Sequence, residues 1–132
     1  MRAILDTQVL LWVMANDRRL SQKARACIAN STNELFVSVG SLWEIAIKSG
    51  LGKLTLQMSI ARVARRAKCL NKIAVRPIKA KHLDHLQKLG PIHRDPFDRL
   101  IIAQTLTEQF QIVSSDPIFD QNLAGSSFQR MW

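Results

Sequence analysis

The chain has 132 residues, 47% of them hydrophobic, and its 19 Lys and Arg against 10 Asp and Glu give a formal net charge of +9. That length and apolar content suit one domain, 1–132, with a core of its own, and they exclude a disordered basic tail. The charge excess points to polyanions or acidic proteins as partners, while Cys27 and Cys69 alone argue against a disulfide framework or a cysteine zinc site. No apolar run approaches the roughly 18 residues of a membrane-spanning helix. Asp6 and Gln8 interrupt the apolar start and no cleavage-like segment follows, so neither a signal peptide nor a membrane partner is expected, and the expected location is cytoplasmic.

In chain order, Arg2 to Leu5 reads as a short buried strand, and a helix follows Asp6-Thr7 through Leu10, Leu11, Val13 and Met14. Ser21 is placed to cap a second helix through Ala24, Cys27 and Ile28, which ends in the turn cluster Asn30 to Asn33. Leu35 to Ser38 is the next strand; Gly40-Ser41 opens a helix, Leu42 to Lys48, that stops at Gly50-Leu51-Gly52. Met58 to Leu70 has apolar residues at helical spacing with arginines between them, Ile73 to Val75 is a strand, and Ile78 to Leu89 is a helix ended by Gly90-Pro91. Asp95-Pro96 caps and starts another helix through Leu106; Gln111 to Ser114 is a fourth strand, and Phe128 to Trp132 an edge strand. Strands alternating with helices predict an α/β domain, its mostly parallel sheet covered on both faces.

Such sheets build their sites at the carboxyl ends of strands. Asp6 follows the first strand and Asp116 the last, while Glu44 and Asp98 fall near the starts of helices. Two carboxylates about 4 Å apart repel by roughly 4 kcal/mol at an effective dielectric of 20, so four together must bind protons or hold a cation. Magnesium or manganese, which prefer oxygen ligands and share their shell with phosphate, are the matching ions. The competing structural account makes Ser41 to Glu44 a capping box and Asp95 a helix cap, which leaves Asp98 the better ligand of those two. Asp17, Glu34, Asp84, Glu108 and Asp120 read as surface charges, and His82 and His85 as exposed residues of a basic helix.

Ile4-Leu5-Asp6-Thr7, Ser41-Leu42-Trp43-Glu44-Ile45-Ala46-Ile47-Lys48 with Gly52-Lys53-Leu54, the stretch His93 to Gln104 (HRDPFDRLIIAQ), and Val113 to Phe119 together resemble PIN-domain ribonucleases, in particular VapC-like toxins. The resemblance implies a three-layer α/β/α sandwich in which Asp6, Glu44, Asp98 and Asp116 bind Mg2+ or Mn2+ and cut RNA, with Asp95 as a nearby fifth acid. It also implies a homodimer silenced by a cognate antitoxin protein. Gln8 and Asn122 stand where many relatives carry His and Tyr, and Ser114 where Thr is usual.

Arg62, Arg65, Arg66, Lys68, Lys72, Arg76, Lys79, Lys81 and Lys88 fall in a stretch whose only acid is Asp84, a candidate track for phosphates or a set of solvated helix faces. Arg94 and Arg99 flank the acidic constellation as candidates for substrate phosphate or for pairing with Asp95 and Asp98. Trp12, Trp43, Phe36, Phe97 and Phe119 sit in apolar runs and are expected in the core or a dimer interface. The leading expectation is a metal-dependent endoribonuclease acting on single-stranded or structured RNA. The main alternative is a non-catalytic PIN-like module binding RNA or an antitoxin. An aspartyl-phosphate enzyme is disfavoured because Asp6-Thr7-Gln8 lacks a second Asp two residues on.

Overall fold

A computed structural model describes residues 1–91 and 95–132. Strands β1 (Arg2–Leu5), β2 (Glu34–Ser38), β3 (Ile73–Arg76), β4 (Gln111–Val113) and β5 (Arg130–Met131) form one sheet in the order β3-β2-β1-β4-β5, every neighbouring pair parallel. The helices are α1 (Thr7–Met14), α2 (Gln22–Ala29), α3 (Val39–Gly50), α4 (Ile60–Asn71), α5 (Ala80–Lys88), α6 (Pro96–Glu108) and α7 (Ile118–Leu123). No helix is long and apolar enough to cross a membrane among the described residues.

Alternation along the strands divides the core. Ala3, Leu5, Leu35, Val37 and Val113 join Val9, Leu10, Ile45 and Val63 from α1, α3 and α4, whereas Ile4, Phe36 and Ile112 meet Ile101, Ile102 and Phe119 from α6 and α7. Both faces are therefore covered, and the strands read as near-continuous apolar runs because neither face meets water. The expected α/β/α sandwich is present, with a sheet that is entirely parallel among the described residues.

The junction into α3 differs from the sequence expectation. Ser38, the last residue of β2, is itself the helix cap, its Oγ accepting the Gly40 N–H at 3.0 Å, so α3 starts at Val39. Glu44 consequently lies in the second turn, and the capping-box account of Ser41 and Glu44 fails. No loop separates strand from helix here, which a search for loop residues cannot detect. Gly40 makes the junction possible: a Cβ there would come within 2.7 Å of Leu100 Cδ2 and 3.2 Å of Ser38 Oγ. Helices α3 and α6 thus pack closely.

Smaller corrections concern element ends. Helix α4 begins at Ile60 behind the Ser59 cap, α5 begins at Ala80, and β4 ends at Val113. Helix α7 was not anticipated; its six residues are too few to display a helical period, and it forms because Phe119 and Leu123 bury against the sheet. The edge strand of the tail is present as the two residues of β5, opposite Ile112 and Val113.

Glu108 and His82 are not surface residues. The Glu108 side chain is 7% exposed, and its carboxylate accepts from Arg76 at 2.7 Å, Lys81 at 2.8 Å and His82 at 2.8 Å. His82 is fully buried; its Nδ1 accepts the Lys79 backbone N–H at 3.0 Å, so the proton sits on Nε2 and is donated to Glu108. Packing of α5 on α6 covers groups that either helix alone would solvate. Two cations of the basic stretch, Arg76 and the half-exposed Lys81, are therefore paired with Glu108.

Hydrogen bonds from Lys81, and then from Arg76 and His82, hold the Glu108 carboxyl well below its ordinary value of 4.5. The stability this confers is complete above that ordinary value and is lost as pH falls below it. Glu108→Gln should lower the unfolding free energy in urea by about 2–3 kcal/mol at pH 7, and the gap to the parent protein should narrow steadily below about pH 4.5.

Candidate active site

Strands β2 and β3 lie to one side of β1, and β4 and β5 to the other. The crevice of an open parallel sheet forms where connections diverge in this way, outside the carboxyl ends of β1 and β4. Leu5 pairs with Val113, and the Asp6 N–H bonds to the Val113 carbonyl at 3.1 Å, so Asp6 and Ser114 emerge side by side. Asp6 caps α1 through Oδ1, which accepts the Val9 N–H at 2.7 Å. The buried Ser114 hydroxyl donates to Asp6 Oδ2, and its oxygen accepts the Asp116 N–H at 3.0 Å. One serine thereby positions two acids from separate strands. Sequence reasoning did not count it as a site residue; the available signal was a hydroxyl two residues before an acid.

A cavity of about 470 Å3 opens at this point, lined by Asp6, Glu44, Asp95, Asp98 and Asp116 together with Gln8, Lys48, Lys53 and Ser115. All four acids singled out in the sequence, and Asp95 with them, border one space. Asp95 is also the cap of α6, its Oδ1 accepting the N–H groups of Phe97 and Asp98, as its position before Pro96 predicts. Asp116 is exposed, and its Oδ1 accepts the N–H of Ile118, the first residue of α7, at 2.9 Å. Arg99 donates to the carbonyls of Gly90 and Leu89, tying α6 to the end of α5, while His93 and Arg94 lie outside the described residues. A separate cavity of about 390 Å3, bordered by Asn16, Arg25, Asn30, Asn33 and Lys72, contains none of these acids.

The acids influence one another across the cavity. Burial, followed by the charges of Asp95, Glu44, Asp6 and Asp116, pushes the Asp98 carboxyl up to about 7. Asp6 is pushed up to about 6, chiefly by burial, against the opposing hydrogen bonds from Ser114 and Val9. Glu44 is 5% exposed; its Oε2 accepts from Lys48 Nζ at 2.6 Å, and its buried Oε1 has no hydrogen-bond partner among the described residues. Among the described residues, no three His, Cys, Asp or Glu side chains are gathered tightly enough to hold a metal ion as they stand. Asp6, Glu44, Asp95 and Asp116 each accept a hydrogen bond from a protein group. The donor set nonetheless fits a hard divalent cation: the donors are carboxylate oxygens, two carboxyls are destabilised as anions, and one buried oxygen is unsatisfied.

Of the aromatic residues, Phe36 and Phe119 are buried, whereas Trp43 is 59% exposed and meets the edge of Phe97 at 5.2 Å. Trp43 is therefore not a core residue. It belongs to a stripe of exposed apolar side chains that runs along α3 through Val39, Trp43 and Ile47 to the helix cap Leu51.

The raised carboxyls fix a pH dependence. Their stability contribution is complete below the ordinary value of 3.8 and is lost as pH rises through about 6 for Asp6 and about 7 for Asp98. In chelator, Asp98→Asn should therefore melt above the parent protein at pH 8, and this advantage should shrink as pH falls from 7 to 5, measured by thermal denaturation.

The sequence matches the PIN domain over residues 3–122. Comparison with curated protein sequences finds no significant match. Among solved structures, VapBC-1 from nontypeable Haemophilus influenzae superposes with a TM-score of 0.67 at 17% identity, covering 98% of this chain and 96% of that one. VapBC2 from Rickettsia felis, bound to a DNA fragment from their promoter, gives 0.69 at 13% identity with 100% of both chains covered. VapBC-5 from Mycobacterium tuberculosis, a member of the VapBC family of toxin-antitoxin systems, gives 0.60 at 17% identity, covering 98% and 96%. At such identities these likenesses concern the fold, but the match along the sequence spans nearly the whole chain, from the first strand through the last helix. The chain belongs to the PIN domain family.

Proposed function

We propose that the protein is a metal-dependent endoribonuclease toxin of the VapC type, with 1–132 acting as one domain, which hydrolyses phosphodiester bonds in single-stranded or structured RNA. The observation that carries this reading is the shared cavity at the β1–β4 border, which Asp6, Glu44, Asp98 and Asp116 line together with Asp95. Asp6, Glu44, Asp98 and Asp116 would hold Mg2+ or Mn2+. Such an ion polarises a phosphoryl oxygen and lowers the pKa of water, which is the chemistry phosphodiester hydrolysis needs.

The chain's own groups divide the remaining work. Ser114 and the Val9 N–H fix both oxygens of Asp6, so this carboxylate reaches the cavity already oriented. Asp98 is steered by the cap of its own helix, since Asp95 accepts the Asp98 N–H at 3.1 Å. Asp116 lies at the solvent side, where it would help orient an attacking water together with Glu44. The +9 charge supplies the long-range attraction that draws a polyanion towards an acidic pocket.

A cognate antitoxin and a second copy of the chain are the proposed protein partners. The likeness to VapBC assemblies and the exposed stripe of Trp43, Ile47 and Leu51 support protein partners of some kind.

Purified protein should cut RNA with Mg2+ or Mn2+ and stop when EDTA is added. Asp6→Asn or Asp98→Asn should lower the rate by at least about 100-fold while the protein still unfolds cooperatively. Chelator-insensitive RNA binding without any cleavage would establish the non-catalytic alternative instead.

A further inference from the structure

Among the described residues, two lysines also line the acidic cavity, Lys48 and Lys53. Their presence is built into the chain. Lys48 lies four residues after Glu44 on α3, so the two side chains share a face, and Nζ sits 2.6 Å from Glu44 Oε2. Beyond α3 the chain doubles back: Gly52 has φ +72°, and the N–H groups of Lys53 and Leu54 both donate to the Lys48 carbonyl, at 2.9 and 3.2 Å. That reversal brings Lys53 to the cavity wall.

The Lys48–Glu44 pair is unequal. Glu44 is nearly buried, whereas the Lys48 side chain is 50% exposed, and ion pairs with one solvated partner contribute little to stability. The pair also leaves Glu44 Oε1 buried without a partner among the described residues. An arrangement that satisfies one oxygen weakly and the other not at all is one that a stronger cation can replace. A lysine suits such an exchange, being a point charge on a flexible four-carbon stem.

We propose that Lys48 is an exchangeable counter-ion. It holds Glu44 until a divalent cation takes that carboxylate, and it then turns to a phosphate of the bound nucleic acid beside Lys53. This rests on the metal-dependent nuclease reading and adds the residues that receive the phosphate; both lysines are substrate-binding groups.

The test uses the full chain with Lys48→Met, Lys48→Arg and Lys53→Met. Mn2+ affinity is measured by calorimetry, and RNA affinity with a phosphorothioate-linked single-stranded RNA in Ca2+ over a range of salt. Lys48→Met should tighten Mn2+ binding by about three- to tenfold, because the competing charge is gone. It should also weaken RNA binding and make the slope of log affinity against log salt shallower by about 0.7. Lys53→Met should weaken RNA binding without the gain in Mn2+ affinity, and Lys48→Arg should retain the parent salt slope. Unchanged or weaker Mn2+ binding by Lys48→Met, or an unchanged salt slope, would overturn the exchange while leaving the nuclease reading intact. A parent protein that binds no Mn2+ would overturn both.

Discussion

Burial of carboxylates beside one another at the end of the β1–β4 seam is the constraint around which the rest of the molecule is arranged. Asp6 and Asp98 are held where burial and neighbouring charge oppose ionisation, and a fold of marginal stability tolerates this only where the surrounding structure leaves them no alternative. Each acid has its own restraint: Ser114 and the α1 cap for Asp6, Lys48 for Glu44, the α6 cap beside Asp98, and the α7 turn for Asp116. Several of these restraints are helix starts. Carboxylates near helix amino termini are stabilised by the backbone dipole, so the same geometry that gathers the acids partly offsets the cost of gathering them.

The electrostatic design separates two kinds of charge. Acids are concentrated at one sheet edge, while the chain as a whole carries an excess of nine positive charges. Some of that excess is paired rather than free: Arg76 and the half-exposed Lys81, with the buried His82, converge on Glu108, and the Arg76 guanidinium also lies over the Phe36 ring at 5.4 Å. This cluster joins α5, α6 and β3 on the side of the sheet opposite α1. It therefore stiffens the helix that carries Asp98 without entering the cavity.

Much of the fold was legible in the chain because parallel strands with covered faces must be short and apolar, and because Ser21, Asp95-Pro96 and Gly50 to Gly52 mark helix boundaries with local chemistry. Asp6, Asp98 and Asp116 were legible for a related reason: a carboxylate placed just after a strand, or at a helix start, sits where an open sheet builds its crevice. Other features left no local trace. Helix α7 depends on burial of Phe119 and Leu123, the exposure of Trp43 depends on what α3 lacks as a neighbour, and Glu108 becomes buried only when α5 lies across α6. Ser38 acting as both strand end and helix cap was hidden because two elements meet there without a connecting loop.

The sequence by itself determined the order of elements, the apolar faces and which acids stand at strand and helix ends, since these follow from periodicity and capping within a few residues. Only the tertiary structure decided that Asp6 and Asp116 share Ser114, that Glu44 sits in a second turn against Lys48, and that Asp98 lies within reach of the charges of four other acids. The physical reason is distance along the chain: Ser114 and Asp6 are 108 residues apart, and interactions over such separations exist only once the sheet has set its strand order and register.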